Sequence, residues 1–198
     1  MMKKSKVTLM VLVLIISCIS NQTFGQKKEK EMKLMNITQE VVVNIAPQKA
    51  WDILSDYGNV GAFHSSLKSS KPLNGSTNEA VLGCERECII PNGKKEIMVR
   101  EKIINLVEGQ YYTYDVYEWK NFPLKKMLIT YGVKTNSLGE TIIYQNSQYR
   151  LKPRFLTWLM KGKLKSGSRE SLLAYKHYME TGEKNVALKI LKKKYKNS

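Results

Sequence analysis

Residues 80–103 constrain this chain more than any other stretch. They read AVLGCERECII, then Pro91-Asn92-Gly93, then KKEIMVREKII. Asn-Gly between two alternating segments predicts a β-hairpin, because both central positions of a tight hairpin turn favour positive φ. On the first strand Ala80, Leu82, Cys84, Arg86, Cys88 and Ile90 share a face, with Glu79, Glu85 and Glu87 on the other. On the second strand Ile97, Val99, Glu101 and Ile103 lie together, opposite Arg100 and Lys102. With Asn92-Gly93 as the loop, Cys84 faces Glu101, Arg86 faces Val99 and Cys88 faces Ile97. Arg86 and Glu101 are then diagonal neighbours, roughly 7–8 Å apart. Two charges on an apolar sheet face are costly unless paired or solvated, so the pattern points to a cavity with polar groups inside it.

The rest of the chain alternates in the same way. Met35 to Ile45 reads as a first strand. Pro47 opens a short helix whose apolar side is Trp51, Ile53, Leu54 and Tyr57. Gly58 ends it, and a second short helix is expected through Phe63. Leu67–Leu73 is expected as a brief strand, followed by the hairpin. Further strands are expected over Gln110–Trp119, Lys125–Thr135 and Thr141–Leu151. Tyr112, Tyr114 and Val116 share one face, as do Met127, Ile129, Tyr131 and Val133.

From Pro153 to about Thr181 the period becomes 3.6, with a stripe through Leu156, Leu159, Met160, Leu164, Leu172, Tyr175 and Met179. Such a helix is about 40 Å long. Gly162 and Gly167 weaken its middle and mark where it would bend or break, and Gly182 follows its end. Trp158 is expected in the core. The predicted fold class is α+β: a curved antiparallel sheet wrapped around a long C-terminal helix, with two short helices after the first strand.

The first residues read as an export signal. Lys3, Lys4 and Lys6 precede an apolar run, Val7 to Ile19, and Thr23-Phe24-Gly25 offers a cleavage site before Gln26. Ile15-Ile16-Ser17-Cys18 also resembles a lipobox, which would anchor the protein as a lipoprotein at Cys18. Both readings place the mature protein outside the cytoplasm, periplasmic or secreted. The domain plan is a signal over 1–25, a linker over 26–34, a ligand-binding domain over 35–182 and a basic tail over 183–198.

Cys84 and Cys88, four apart on one strand, would lie about 13 Å apart, beyond the roughly 7 Å a disulfide spans. Two cysteines with His64 and His177 show no zinc-site spacing, so no metal and no cofactor are expected. The formal charge of +16 is concentrated partly in the tail, at Lys189, Lys192, Lys193, Lys194 and Lys196. The tail is read as a solvated, frayed segment, with weak contact to an anionic membrane surface as the competing reading. Nothing resembles a nucleic-acid-binding motif, and a nucleic-acid partner is not expected.

Several stretches carry a resemblance: VNIAPQKAWDILSDYGNV (43–60), GCERECIIPNGKKEIMVREKI (83–103), YTYDVYE (112–118) with Pro123 after it, and YMETG (178–182). On these, the chain from about Ile37 to Gly182 resembles the START-like superfamily, the polyketide cyclase/dehydrase and lipid transport group that includes birch-pollen-type (Bet v 1-like) proteins and abscisic acid receptors. The resemblance implies a helix-grip fold with a ligand cavity between sheet and helix. It implies that Arg86 and Glu101 touch or orient ligands, and that Phe63-His64 lies near the pocket mouth. Asn121 to Leu124 matches the loop that gates the cavity in the receptors, although WKNFPL departs from the receptor signature.

The expected function is therefore that of an exported binding protein for a small hydrophobic or amphipathic molecule, lipid-like or aromatic. The ligand-binding residues expected are Arg86, Glu101, Cys88, Val99, Tyr114, Met127, Ile129, Tyr131, Tyr144, His64 and Phe122, with Trp119, Phe122 and Leu124 as an apolar lip. Each has a plain counterpart: a bracing ion pair for Arg86–Glu101, packed core for the tyrosines, and surface positions for His64 and His177. The alternative function is a cyclase- or hydratase-type enzyme using Glu101 as general acid/base. No nucleophile elbow, triad or phosphate loop is present to support other catalysis.

Overall fold

In the computed structural model, residues 32–196 are described, and the export signal and lipobox fall outside them. Met35–Val43 forms β1. Pro47–Leu54 forms α1, with Pro47 in its first turn, where a missing N–H costs nothing. A 3₁₀ turn follows over Tyr57–Ala62. The strands β2 (Ser69–Leu73), β3 (Glu85–Asn92), β4 (Lys95–Val107), β5 (Tyr111–Lys120), β6 (Leu124–Thr135) and β7 (Thr141–Leu151) complete the sheet. All pairings are antiparallel, in the order β1-β7-β6-β5-β4-β3-β2.

Two features curve and open this sheet. Irregularities in the β4–β5 ladder fall between Arg100 and Glu101 and between Ile103 and Asn105. Such bulges bend a strand and sharpen its twist. The β5–β6 pairing stops at Asp115↔Leu128, although both strands run on towards their connecting loop. The unpaired ends splay, and space is left on the concave side.

The long C-terminal helical stretch is divided. Phe155–Leu159 forms a short helix, α2, and Lys161–Thr181 forms α3, the long helix gripped by the sheet. The break falls at Met160, just ahead of Gly162. Gly182, at φ 74°, closes α3 by returning its N–H to the Tyr178 carbonyl at 2.8 Å, as a left-handed C-cap does. On α3, Leu172, Tyr175 and Met179 are buried. Trp51, Leu54 and Tyr57 meet them from below, with Tyr112, Ile143 and Tyr149 from the sheet. Tyr112 is an aromatic hub, 6.3 Å from Trp51, 5.6 Å from Tyr57 and 6.0 Å from Tyr131 between ring centroids. Such pairs add about 0.5–1.5 kcal/mol each beyond area burial.

Three expectations are corrected here. Trp158 is not core: it is 75% exposed on α2, with Phe155 and Leu159 beside it on the surface. The tail is not a frayed, solvated segment. Leu188–Lys194 forms α4, which buries Leu191, with Tyr195 buried just beyond its end, while Lys192 pairs with Glu170 at 2.7 Å. His177 is not exposed but 3% accessible. Tyr195 Oη lies 3.0 Å from its Nδ1, and Glu183 2.8 Å from its Nε2. The histidine and the tail are covered by each other, which neither segment shows alone.

Candidate functional site

The hairpin turns one step later than Asn92-Gly93. Asn92 pairs with Lys95, so Gly93 and Lys94 are the loop, and only Gly93 has positive φ, at 63°. Every opposed pair moves by two residues. Cys88 faces Val99, Ile90 faces Ile97, and Arg86 faces Glu101 directly. The diagonal neighbours of the sequence reading are thus an ion pair, with Nε donating to Glu101 Oε2 at 2.6 Å. A two-residue shift leaves each side chain on the same face, so both charges still point inward.

Both members are about 95% buried. Arg86 Nη1 donates to the Tyr57 carbonyl, and the guanidinium lies over the Tyr57 ring at 3.9 Å. The pair ties the hairpin to the 3₁₀ turn. Burial pushes the Glu101 carboxyl upward, while the Arg86 charge and hydrogen bond pull it back. The Arg86 guanidinium is held charged by Glu101 despite burial, which opposes its charge.

The ion pair forms one wall of a cavity of about 740 Å³ between the sheet and α3. Arg86, Cys88, Val99, Glu101, Tyr114, Val116, Met127, Ile129 and Tyr131 line it from the sheet. His64 and Phe122 join from loops, and Leu164, Ser168, Ser171 and Tyr175 from α3. Trp119 stays outside the lining, while Leu124 belongs to it. All the expected ligand-binding positions therefore meet at one cavity except Tyr144.

Tyr144 is corrected. It points to the outer face of β7, where its ring covers Gly132 on β6; a Cβ built on that glycine would stand 2.5 Å from the ring. Its parity puts Gln145 and Ser147 inside instead. His64 takes the interior, pocket position rather than the surface one of its plain counterpart. It is 5% exposed, lines the cavity, and accepts a hydrogen bond at Nδ1 from the Ser66 N–H at 3.3 Å. Burial, aided by the Arg86 charge, holds its imidazole down at about 4. Burial also pushes the Cys88 thiol up to about 11, so it is no nucleophile at neutral pH. Both Cys84 and Cys88 are free.

A second polar wall escaped the sequence reading. Gln145 Nε2 donates to Ser147 Oγ at 3.1 Å, and Ser147 Oγ is 3.4 Å from Ser168 Oγ on α3. Gln145 Oε1 is buried with no partner. Nearby, Tyr131 and Ser171 hydroxyls meet at 2.7 Å. Neutral polar residues on a strand ordinarily read as solvent-facing. The available signal was their parity with Ile143 and Tyr149. Among the described residues no cluster of three or more His, Cys, Asp or Glu could hold a metal ion.

A seven-stranded antiparallel sheet gripping a long C-terminal helix over an apolar cavity defines the helix-grip class of the START-like superfamily. The sequence matches the family described as polyketide cyclase / dehydrase and lipid transport over residues 35–180, and the chain belongs to it. Among solved structures, Ara h 8.0201 superposes with a TM-score of 0.60 at 16% identity, covering 74% of this chain and 97% of that one. The major latex-like protein 151 of Panax ginseng gives 0.57 at 12% identity, covering 76% and 98%. A protein of Nitrosospira multiformis gives 0.60 at 11%, covering 75% and 98%. At these identities the likeness concerns the fold alone. No curated protein sequence matched the chain.

Proposed function

We propose that this protein is an exported carrier that encloses one small hydrophobic or amphipathic molecule, lipid-like or aromatic, in the cavity between sheet and α3. The observation that carries this reading is the composition of that cavity. An apolar body of Val99, Val116, Met127, Ile129 and Leu164 is bounded by a charged wall at Arg86–Glu101 and a neutral polar wall at Gln145–Ser147–Ser168. A mostly apolar hollow with a few convergent polar groups is what orients an amphipathic ligand. The unpartnered Gln145 Oε1 favours a ligand with a hydroxyl or N–H at one end, since a buried acceptor without a donor costs about 1–3 kcal/mol.

The ion pair weighs against the acid–base alternative. Glu101 Oε2 is already engaged by the Arg86 guanidinium at 2.6 Å, so a substrate would have to compete for that oxygen, although burial leaves the carboxyl raised on balance. Export rests on the residues 7–25 pattern. Native mass spectrometry of protein purified from its own host tests the carrier reading, with a single retained apolar molecule released on denaturation as the expected result. If protein so purified is empty and also fails to bind an apolar fluorescent probe at one-to-one stoichiometry, the reading is wrong. A substrate turned over by the wild type and not by Glu101→Gln would replace it with the enzyme.

A further inference from the structure

We infer that α2, with the cationic segments on either side of it, is a docking face for an anionic lipid surface, placed so that docking presents the cavity mouth to the membrane. The docking stands on α2 alone; only its use in ligand exchange rests on the carrier reading.

Phe155, Trp158 and Leu159 occupy positions i, i+3 and i+4 and therefore share one side of α2. They are 66%, 75% and 63% exposed. The helix is not loosely attached. Its opposite side is pinned to β7: Thr157 Oγ1 accepts the Leu151 N–H at 3.0 Å, and the Thr157 carbonyl accepts the Tyr149 hydroxyl at 3.0 Å. Three large apolar side chains are thus held in water by a rigid mount, which is how interaction surfaces look.

Charge names the occupant. No aspartate or glutamate occurs between Glu140 and Glu170. Lys152, Arg154, Lys161, Lys163 and Lys165 flank the apolar patch, and none makes an ion pair among the described residues. Several lysines elsewhere are compensated, as in Lys102–Glu85, Lys126–Asp115 and Lys134–Glu40, whereas this stretch gathers five uncompensated cations around one apolar patch with no acid within the run. A second copy docking through the same face would set cations against cations. Trp and Phe beside lysine and arginine suit the headgroup boundary of an anionic bilayer, where rings settle among the headgroups and the cations meet lipid phosphates.

The mouth lies alongside. Exposed residues lining the cavity include Asn121 on the β5–β6 loop and Lys163 in the first turn of α3. Met160, which follows Leu159, also lines the cavity. The Lys152 N–H donates to the Pro123 carbonyl at 2.9 Å, joining the loop that carries Phe122 to the start of the α2 segment. An apolar ligand leaving there would enter lipid without crossing water.

The test uses the full chain with vesicles of phosphatidylcholine, alone or mixed with an equal amount of phosphatidylglycerol. Trp51 is buried and Trp119 half-buried, so the emission lost in Trp158→Phe isolates the α2 signal. That component is expected to shift blue on mixed vesicles and to be quenched by acyl-chain-brominated lipid. Neither change is expected on phosphatidylcholine alone. The triple variant F155S/W158S/L159S should partition about tenfold more weakly with an unchanged unfolding midpoint. K192Q/K193Q/K194Q in α4 should change partitioning less than twofold. The proposal is overturned if the Trp158 signal does not move while the chain sediments with vesicles, or if the α4 variant causes the loss instead. It is also overturned if Trp158 is buried by self-association in sedimentation velocity without lipid.

Discussion

The two polar walls of the cavity are built on opposite principles. On the β3–β4 wall, charge is matched within the protein: Arg86 and Glu101 bond to each other, and Arg86 also bonds to the Tyr57 carbonyl. On the β7–α3 wall the groups are neutral, the hydrogen bonds are long, and Gln145 Oε1 is unmatched. A self-satisfied pair is a brace that a ligand can touch but that folding requires. An incomplete neutral network folds without help and leaves its last bond to whatever fills the space.

The largest effect that would break this contrast is on stability. Glu101→Leu leaves a guanidinium buried without its carboxylate and should lower the unfolding free energy by about 3–5 kcal/mol in urea denaturation. Arg86→Met combined with Glu101→Leu should recover much of that loss, because no lone charge remains. A neutral single variant would mean that the pair braces nothing.

His64, which feels the Arg86 charge, sharpens the comparison through pH. Its imidazole titrates near 4 in the fold against an ordinary 6.5, so between those values the unfolded chain holds more protons. Its contribution is therefore complete above about 6.5 and is lost as pH falls towards 4, on the order of 3 kcal/mol. Urea midpoints of wild type and His64→Gln across that window should converge as pH drops.

On the neutral wall, Gln145→Leu removes an unmatched acceptor, so stability should hold or rise slightly. Affinity for the molecule recovered from the native host should fall about tenfold by calorimetric titration, one charge-free hydrogen bond being worth about 0.5–1.5 kcal/mol. Equal affinity would take Gln145 out of ligand recognition. The smallest effect is Tyr131→Phe, which gives up the Ser171 contact and should cost about 1 kcal/mol in thermal or chemical unfolding.

The sequence-based reading succeeds where geometry is local. Alternation located most strands within a residue or two, named Thr141–Leu151 without error, and put Met127, Ile129 and Tyr131 on the cavity side. But it began the first hairpin strand at Ala80, where residues 80–84 form a turn and β3 starts only at Glu85. It placed Arg86 and Glu101 on the inner face even though the loop was misassigned by one position. It failed for His177 and Trp158, where exposure depends on a partner segment, and for Gln145, where polarity suggested solvent; for His64 it left pocket and surface open, and only the fold chose the pocket. It failed for Tyr144 because β7 carries apolar residues on both faces.

By itself the sequence determined the antiparallel strands, the capped long helix and the inward parity of one cation and one anion. These follow from backbone periods of 2 and 3.6 that act over a few residues. Only the tertiary structure decided that the two charges meet at bonding distance, that the tail covers His177, and that Trp158 remains outside. Those outcomes depend on which surfaces remote segments bring together, and burial belongs to the pair of surfaces rather than to either one.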